Sequence, residues 1–222
     1  MKYSPYSFSK ISTYKQCARK FKFKYIQKIK EPITDMTPLL KGTCVHSMLE
    51  KYPAESTNSL VPKYRNIFED FLETKYKALL DIEHFSETAI GFDDKLSPVS
   101  YDNGTIFRGY IDYYAYVDGG MVVADWKTGK YKDIKYQDFN QLLFYALYLF
   151  YKNPNVDKIK AMFIYVEHNL DNSIIFERKY IDEYKKELIH IIRDIEKDEI
   201  FEKKTQKLCD WCGYRDRCFD NS

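Results

Sequence analysis

The stretch TIFRGYIDYYAYVDGGMVVADWK, Thr105 to Lys127, decides how this chain is read. Two runs rich in Ile, Val and Tyr flank Asp118-Gly119-Gly120, which is the sequence signature of a β-hairpin. Asp125 and Lys127 are two apart in the second run, so as strand residues they share a face. A turn at Gly119-Gly120 sets Asp112 opposite Lys127, and a turn at Asp118-Gly119 sets it opposite Asp125. Directly opposed residues of antiparallel strands point the same way, so both registers gather Asp112, Asp125 and Lys127 on one face. A loop of odd length would scatter them. The other face then carries Phe107, Ile111, Tyr113, Ala115 and Val117 with Val122, Ala124 and Trp126, a plausible core surface.

Metal-dependent cleavage of a phosphodiester needs carboxylates to hold Mg²⁺ or Mn²⁺ and a positive charge to position water or steady the transition state. The hairpin can supply both. On the hairpin alone, however, a surface ion pair between Asp125 and Lys127 is the better reading, because a D-x-K triplet is cheap.

The flanking sequence reads as mixed α/β. Residues 7 to 30 suit a helix capped by Ser7 or Ser9, followed by a loop between Pro32 and Pro38. GTCVHSMLEKY, from Gly42, and residues 63 to 82 suit two more helices; residues 83 to 104 read as loop or weak strand. A helix from about Gln137 to Tyr151 is apolar almost all round, as a buried helix is. Lys160–Glu167 and Ser173–Tyr180 suit strands, and Asp182 opens a charged helix to about Lys204. This order predicts a mixed central sheet flanked by helices.

The chain has 222 residues, 45% hydrophobic and 17% aromatic, enough for one packed domain and unlike a disordered chain. No apolar run approaches the roughly 20 residues of a membrane helix. The start, MKYSPYSFSK, lacks a signal-peptide core, which implies a cytoplasmic protein without a membrane partner. A net charge of +2 neither demands nor excludes nucleic acid. Residues 10 to 30 contain many Lys and Arg but no acid, with Phe21, Phe23 and Tyr25 interleaved. That pattern suits a surface tracking phosphates, with Lys15, Arg19, Lys20, Lys22 and Lys24 as candidate DNA contacts, and equally suits a solvated amphipathic helix.

Cys209, Cys212 and Cys218 sit in a polar tail, and Cys17 is available as a fourth ligand. Four thiolates suit an iron–sulfur cluster or a structural zinc, and the spacing leaves both open. Cys44 stands alone and reads as a small core residue.

Four motifs in order carry a resemblance. Gly42-Thr-Cys-Val-His46 with Leu49-Glu50, Gly109-Tyr-Ile-Asp112, Asp125-Trp-Lys-Thr-Gly129 and Gln141-Leu-Leu-Phe-Tyr145 resemble the motifs of the PD-(D/E)XK nuclease superfamily, in its RecB-like branch. The resemblance implies a restriction-endonuclease-like fold. It implies His46, Asp112, Asp125 and the backbone carbonyl of Trp126 as Mg²⁺ or Mn²⁺ ligands, and Lys127 as the residue that orients water or stabilises charge. Gln141 and Tyr145 would line the site, and Glu50 would support His46 from one helical turn away. One N-terminal and three C-terminal cysteines also resemble the iron–sulfur members, such as the AddB nuclease domain and CRISPR-associated cysteine-cluster exonucleases. Ala18 and Gly213 stand where those relatives often have Pro. The implied cofactor is a 4Fe-4S cluster on Cys17, Cys209, Cys212 and Cys218. Residues 1–30 and 205–222 would form its module, and 40–204 the nuclease core, within one domain, 1–222.

The expectation is a DNA exonuclease acting on single strands or duplex ends, in recombination, repair or CRISPR-type adaptation, alone or with proteins of those pathways. The alternatives are a structure-selective DNA endonuclease and a non-catalytic DNA-binding subunit.

Overall fold

The computed structural model describes residues 1–32 and 35–219. Its strands are β1 (His84–Phe92), β2 (Pro98–Val99), β3 (Phe107–Val117), β4 (Gly120–Lys127), β5 (Lys158–Tyr165) and β6 (Leu170–Glu177), in one sheet of order β2-β1-β3-β4-β5-β6. Pairing is antiparallel in β1/β2, β3/β4 and β5/β6 and parallel in β4/β5, so the sheet is mixed. The helices are α1 (Phe8–Gln16), α2 (Ala18–Phe21), α3 (Thr37–Lys51), α4 (Val61–Leu72), α5 (Lys77–Asp81), α6 (Asn140–Lys152), α7 (Ile181–Lys197) and α8 (Arg215–Phe219). None among the described residues is long and apolar enough to cross a membrane.

The chain forms two compact units: Met1–Asp35, Gly91–Gly109 and Lys186–Ser222, and Met36–Ile90 with Tyr110–Lys185. The unit holding the chain ends thus also takes in residues 91–109 and 186–204, and residues 220–222 of the expected cysteine module lie outside the described residues.

In the second unit the hairpin folds as the alternation predicts. Val117 pairs with Gly120 and Tyr113 with Ala124, so Asp118 and Gly119 make the turn. One step further, the same register sets Asp112 opposite Asp125. Gly119 takes φ 82°, a left-handed conformation that glycine adopts without a Cβ clash. Tyr113, Ala115, Val122, Ala124 and Trp126 enter a core with Cys44, Val45, Met48 and Leu49 of α3 and Tyr64 and Phe71 of α4. Burying the larger of these, such as Val122, Met48, Leu49 and Phe71, contributes roughly 1.5–3 kcal/mol each. Val117, at the hairpin tip, is exposed instead.

The opposite face is covered as well, because α6 packs across β4 and β5. Eight of its residues, from Leu142 to Phe150, are buried. It is also the crossover that parallel β4 and β5 require, since a tight turn cannot join parallel neighbours. Met121 and Val123 are therefore buried beside Asp125, and the polar trio sits under a helix rather than on an open sheet face.

Several expected helices are shorter than their periodicity suggests. The stretch 7–30 breaks at Cys17, whose backbone is extended, and after α2 continues as a π-helical turn, Lys22–Ile26. Ser7 is the N-cap, accepting from the Lys10 N–H. The helix expected over 63–82 stops at Leu72. There the Thr74 hydroxyl donates to the Phe71 carbonyl (2.7 Å) and accepts from the Tyr76 N–H (3.2 Å), competing with the helical ladder. The last long helix ends at Lys197, seven residues early, because the Asp198 carboxylate captures the N–H groups of Ile200 (3.0 Å) and Phe201 (2.8 Å). Residues 84–92, read as loop or weak strand, form β1.

The first unit is held by aromatic and polar contacts. Tyr3, Tyr14 and Phe201 surround Phe21, with ring centroids 5.5–6.0 Å from it. Tyr6 donates to Glu196 (2.7 Å), Tyr14 to Asp198 (2.8 Å) and Tyr214 to the Ile29 carbonyl (2.7 Å).

Candidate active site

Asp125 and Lys127 leave β4 on the face that α6 covers. The Lys127 ammonium lies 2.6 Å from Asp125 Oδ2 and 4.6 Å from the centre of the Phe163 ring on β5. It also donates to Gln141 Oε1 (3.0 Å). The Gln141 amide nitrogen donates in turn to Asp125 Oδ1 and to the Tyr145 hydroxyl (2.8 Å), and that hydroxyl points back at Asp125 Oδ1 (3.4 Å). Gln141 and Tyr145 are one turn apart on α6, so both reach the same carboxylate. Asp125, 3% exposed, is thereby buried without an unsatisfied oxygen, as a buried charge must be.

Asp112 lies one strand away. Its Oδ2 accepts the backbone N–H of Trp126 (2.9 Å) and is 3.6 Å from His46 Nδ1. His46, on α3, meets the Trp126 carbonyl with Nε2 at 2.9 Å. Its Nδ1 also faces Glu87 Oε1 at 3.8 Å. Among the described residues, His46, Glu87 and Asp112 form the one group of three or more such donors lying within 4.8 Å of one another, a set that could hold a metal ion.

The electrostatics follow from this crowding. Burial pushes the Asp112 carboxyl upward, the Asp125 charge adds to the shift, and His46 and the Trp126 N–H oppose it. Burial alone would lower His46, but Glu87, Asp112 and Asp125 outweigh it and raise the imidazole above its ordinary value. Tyr145 is driven well up by burial and by Asp125 and Asp112, so it stays a neutral phenol.

The structure thus gathers the sequence candidates Asp112, Asp125, Lys127, Gln141, Tyr145, His46 and the Trp126 carbonyl in one place. Glu50 instead forms an ion pair with its neighbour Lys51 (3.1 Å), and lines the open cavity onto which His46 and Glu87 also face. Glu87 is the residue that sequence reasoning missed. It lies on β1, and no motif or alternation flagged it.

The sequence profile of the PD-(D/E)XK nuclease superfamily matches residues 5–219. The chain belongs to this superfamily. A crystal structure of a "Putative exonuclease" from Eubacterium rectale superposes with a TM-score of 0.53 at 15% identity, covering 98% of this chain and 88% of that one; at this identity the likeness shows the fold. The structure of SSO0001 aligns at 12% identity with a TM-score of 0.40, over 96% of this chain and 85% of that one. No functionally curated protein matches the sequence. The superfamily typically works with divalent metals, and the His46, Glu87 and Asp112 donors are compatible with one.

In this PD-(D/E)XK chain the cysteines separate as their burial predicts. Cys44 is fully buried in the core against the sheet. Cys17, Cys209, Cys212 and Cys218, partly buried, line a single cavity of about 130 Å³. Arg19, Lys20, Lys203, Lys204 and Arg215 share its lining, and among the described residues no carboxylate does. Burial raises the Cys218 thiol, and Cys17 and Cys212 add to the shift. Gly213 has a structural reason: a Cβ there would come 2.7 Å from the Pro32 carbonyl oxygen.

The basic N-terminal stretch is largely engaged. Lys20 pairs with Glu31 (2.7 Å), and Lys24 reaches the same carboxylate (3.5 Å). Arg19 donates to the Phe201 carbonyl (2.8 Å), Lys22 lies over the Phe201 ring, and Lys15 sits on α1. Phe21 and Phe23 are buried, so these interleaved rings belong to the core and not to a nucleic-acid surface.

Proposed function

We propose that the chain is a Mg²⁺- or Mn²⁺-dependent DNA exonuclease, degrading single strands or duplex ends. The observation that carries this reading is the Asp125–Lys127 pair, fixed from α6 by Gln141 and flanked by Asp112 and His46. His46, Asp112 and Asp125 would hold the metal, with the Trp126 carbonyl adjacent. When bound, the metal would supply Lewis acidity and a water of lowered pKa. The Lys127 ammonium stands 2.6 Å from the carboxylate, where it can steady negative charge developing on a phosphate. Gln141 sets the distance between that charge and Asp125. Tyr145, neutral, contributes a hydroxyl to the same carboxylate. The resemblance to RecB-like nucleases supports a role in recombination, repair or CRISPR-type adaptation.

The four terminal cysteines would bind a 4Fe-4S cluster that staples the chain ends. One feature supports this reading: the cavity has a cationic lining suited to the negative charge of a thiolate-bound cluster.

The test is cleavage of end-labelled linear and closed circular single-stranded DNA with Mn²⁺, using anaerobically purified protein. Loss of the linear substrate alone is expected. Cutting of the circle would make the protein an endonuclease, and binding without cleavage would make it a non-catalytic subunit.

A further inference from the structure

The segment that joins β4 to α6 has the opposite character to the basic N-terminal stretch. Residues 129–136 (GKYKDIKY) are all exposed, and they interleave three lysines with two tyrosines and an isoleucine. Tyr136 is 66% exposed and Ile134 53%. We propose that this strap, residues 130–136, is a binding platform for single-stranded DNA, on which Tyr136 stacks against an unpaired base while Lys130, Lys132 and Lys135 contact phosphates. The assignment rests on the nuclease reading and deepens it, because it names the residues that select unpaired over duplex DNA.

Three observations carry it. The first is that the strap's backbone is fixed while its side chains stay in water. Asn172 on β6, itself buried, donates to the Lys132 carbonyl (2.7 Å) and accepts from the Tyr131 hydroxyl (3.0 Å). Asp133 caps the 3₁₀ turn Ile134–Tyr136 by accepting the Lys135 N–H (3.0 Å). A loop held in this way has little freedom left to lose on binding. Neighbouring apolar groups exposed on a fixed backbone mark a surface that a partner covers.

The second is the chemistry of that surface. The one acid among residues 129–136, Asp133, is engaged in the turn and lies 3.8 Å from Lys135. Among the described residues neither Lys130 nor Lys132 is in an ion pair. The Lys135 ammonium lies over the Tyr136 ring, 5.0 Å from its centre, which leaves the other face for stacking. Rings interleaved with cations suit a single strand, whose bases offer free π-faces beside their phosphates, better than a duplex, whose bases are already stacked and paired.

The third is position. Lys130 follows Lys127 by three residues, so even extended backbone keeps the two within roughly 11 Å. Beyond the other end of the strap, Phe139 stacks on Phe163 (5.8 Å), the ring over which the Lys127 ammonium lies. Gln137 accepts from the Tyr165 hydroxyl (2.8 Å). Tyr165 is the β5 residue in register with Lys127, and its ring meets that of Tyr131 at 5.0 Å. The strap is thus braced on the two β5 side chains beside Lys127, and DNA lying along it leads to the Asp125–Lys127 pair.

The experiment measures binding of fluorescein-labelled oligothymidylate, and of a duplex of the same length, to the full chain by anisotropy without added divalent metal. Tyr136→Ala is expected to weaken oligothymidylate binding roughly tenfold or more and to leave duplex binding unchanged, and Tyr136→Trp to keep the wild-type preference. Lys130→Gln combined with Lys132→Gln is expected to flatten the slope of log affinity against log salt by about 0.7 per lysine. Melting curves check that each variant folds. A Y136A protein that binds oligothymidylate like the wild type overturns the proposal. So does an equal loss on both DNAs, which would make the strap a general phosphate-tracking surface. A wild-type dimer that Y136A dissociates without loss of DNA binding, read by sedimentation, would make the strap an interface between copies instead. Mn²⁺-dependent cleavage by the wild type, measured in parallel, separates the two claims. Cleavage with unchanged Y136A binding sinks the platform and leaves the nuclease; selective loss of binding in Y136A with no cleavage by the wild type does the reverse.

Discussion

The two units hold together by different means. The second buries a continuous apolar core from α3, α4 and the sheet, including fully buried Phe71 and Tyr113, and sets its charged site into that frame. The first relies on a ring cluster around Phe21, tyrosine hydroxyls on Glu196 and Asp198, and a cavity ringed by four thiols. A site inside an apolar frame can lose a charge and keep its fold. Among the described residues, the first unit has no comparable apolar frame around its four thiols.

The largest effect should come from Asp125→Ala, with DNA cleavage falling by about 10³-fold or more while the circular dichroism spectrum and iron content stay those of the wild type. Normal cleavage would remove Asp125 from the site. Cys212→Ala should do the reverse: iron is lost and stability drops by about 3 kcal/mol or more in denaturant titration, as when a tightly bound ligand is withdrawn. Unchanged stability together with a colourless wild type would discard the cluster and make zinc the better assignment. Gln141→Ala should cost roughly 10–100-fold in turnover, because it frees both Asp125 and Lys127 from their common brace. Tyr145→Phe, which removes one hydroxyl from that brace, should cost about tenfold or less.

The smallest effect is in pH. His46 is raised in the fold, so its contribution to stability is present below its ordinary value of about 6.5 and is lost as pH climbs through the raised one. Asp112 is also raised, and its ionisation in the fold costs stability as pH rises above its ordinary value of about 3.9. Both make the metal-free protein weaker at higher pH, while a cation needs both groups deprotonated. The gain in melting temperature from Mn²⁺ should therefore grow as pH rises from neutral into the alkaline range. A gain that shrinks would mean the cation does not compete with these protons.

Much of the site was legible because it obeys local periodicity. The two-residue spacing of Asp125 and Lys127, the Asp118-Gly119-Gly120 hairpin signal, which left two turns open, and the one-turn spacing of Gln141 and Tyr145 are all short-range patterns. Glu87 was not, for a physical reason. Its strand alternates poorly, with His84 to Thr88 partly buried or, at Phe85, exposed, and its own backbone leaves the β region, so neither pattern nor propensity marks it. The helix breaks at Thr74 and Asp198 escaped notice because a single side chain outcompeted the helical ladder. The cover that α6 gives the acidic face follows from parallel pairing of β4 with β5, a long-range fact that a hairpin cannot reveal.

The thiol-lined cavity also has a consequence for biogenesis. Cys17 lies near the start of the chain and Cys209, Cys212 and Cys218 near its end, while the unit that carries the acidic site is built entirely from residues 36–90 and 110–185. During synthesis every segment of that unit emerges before the last three thiols do. Were the proposed cluster bound in this cavity, its assembly would come after the whole acidic unit has been synthesised, and nascent chains stalled before Cys209 would hold the acidic residues without three of the four thiols.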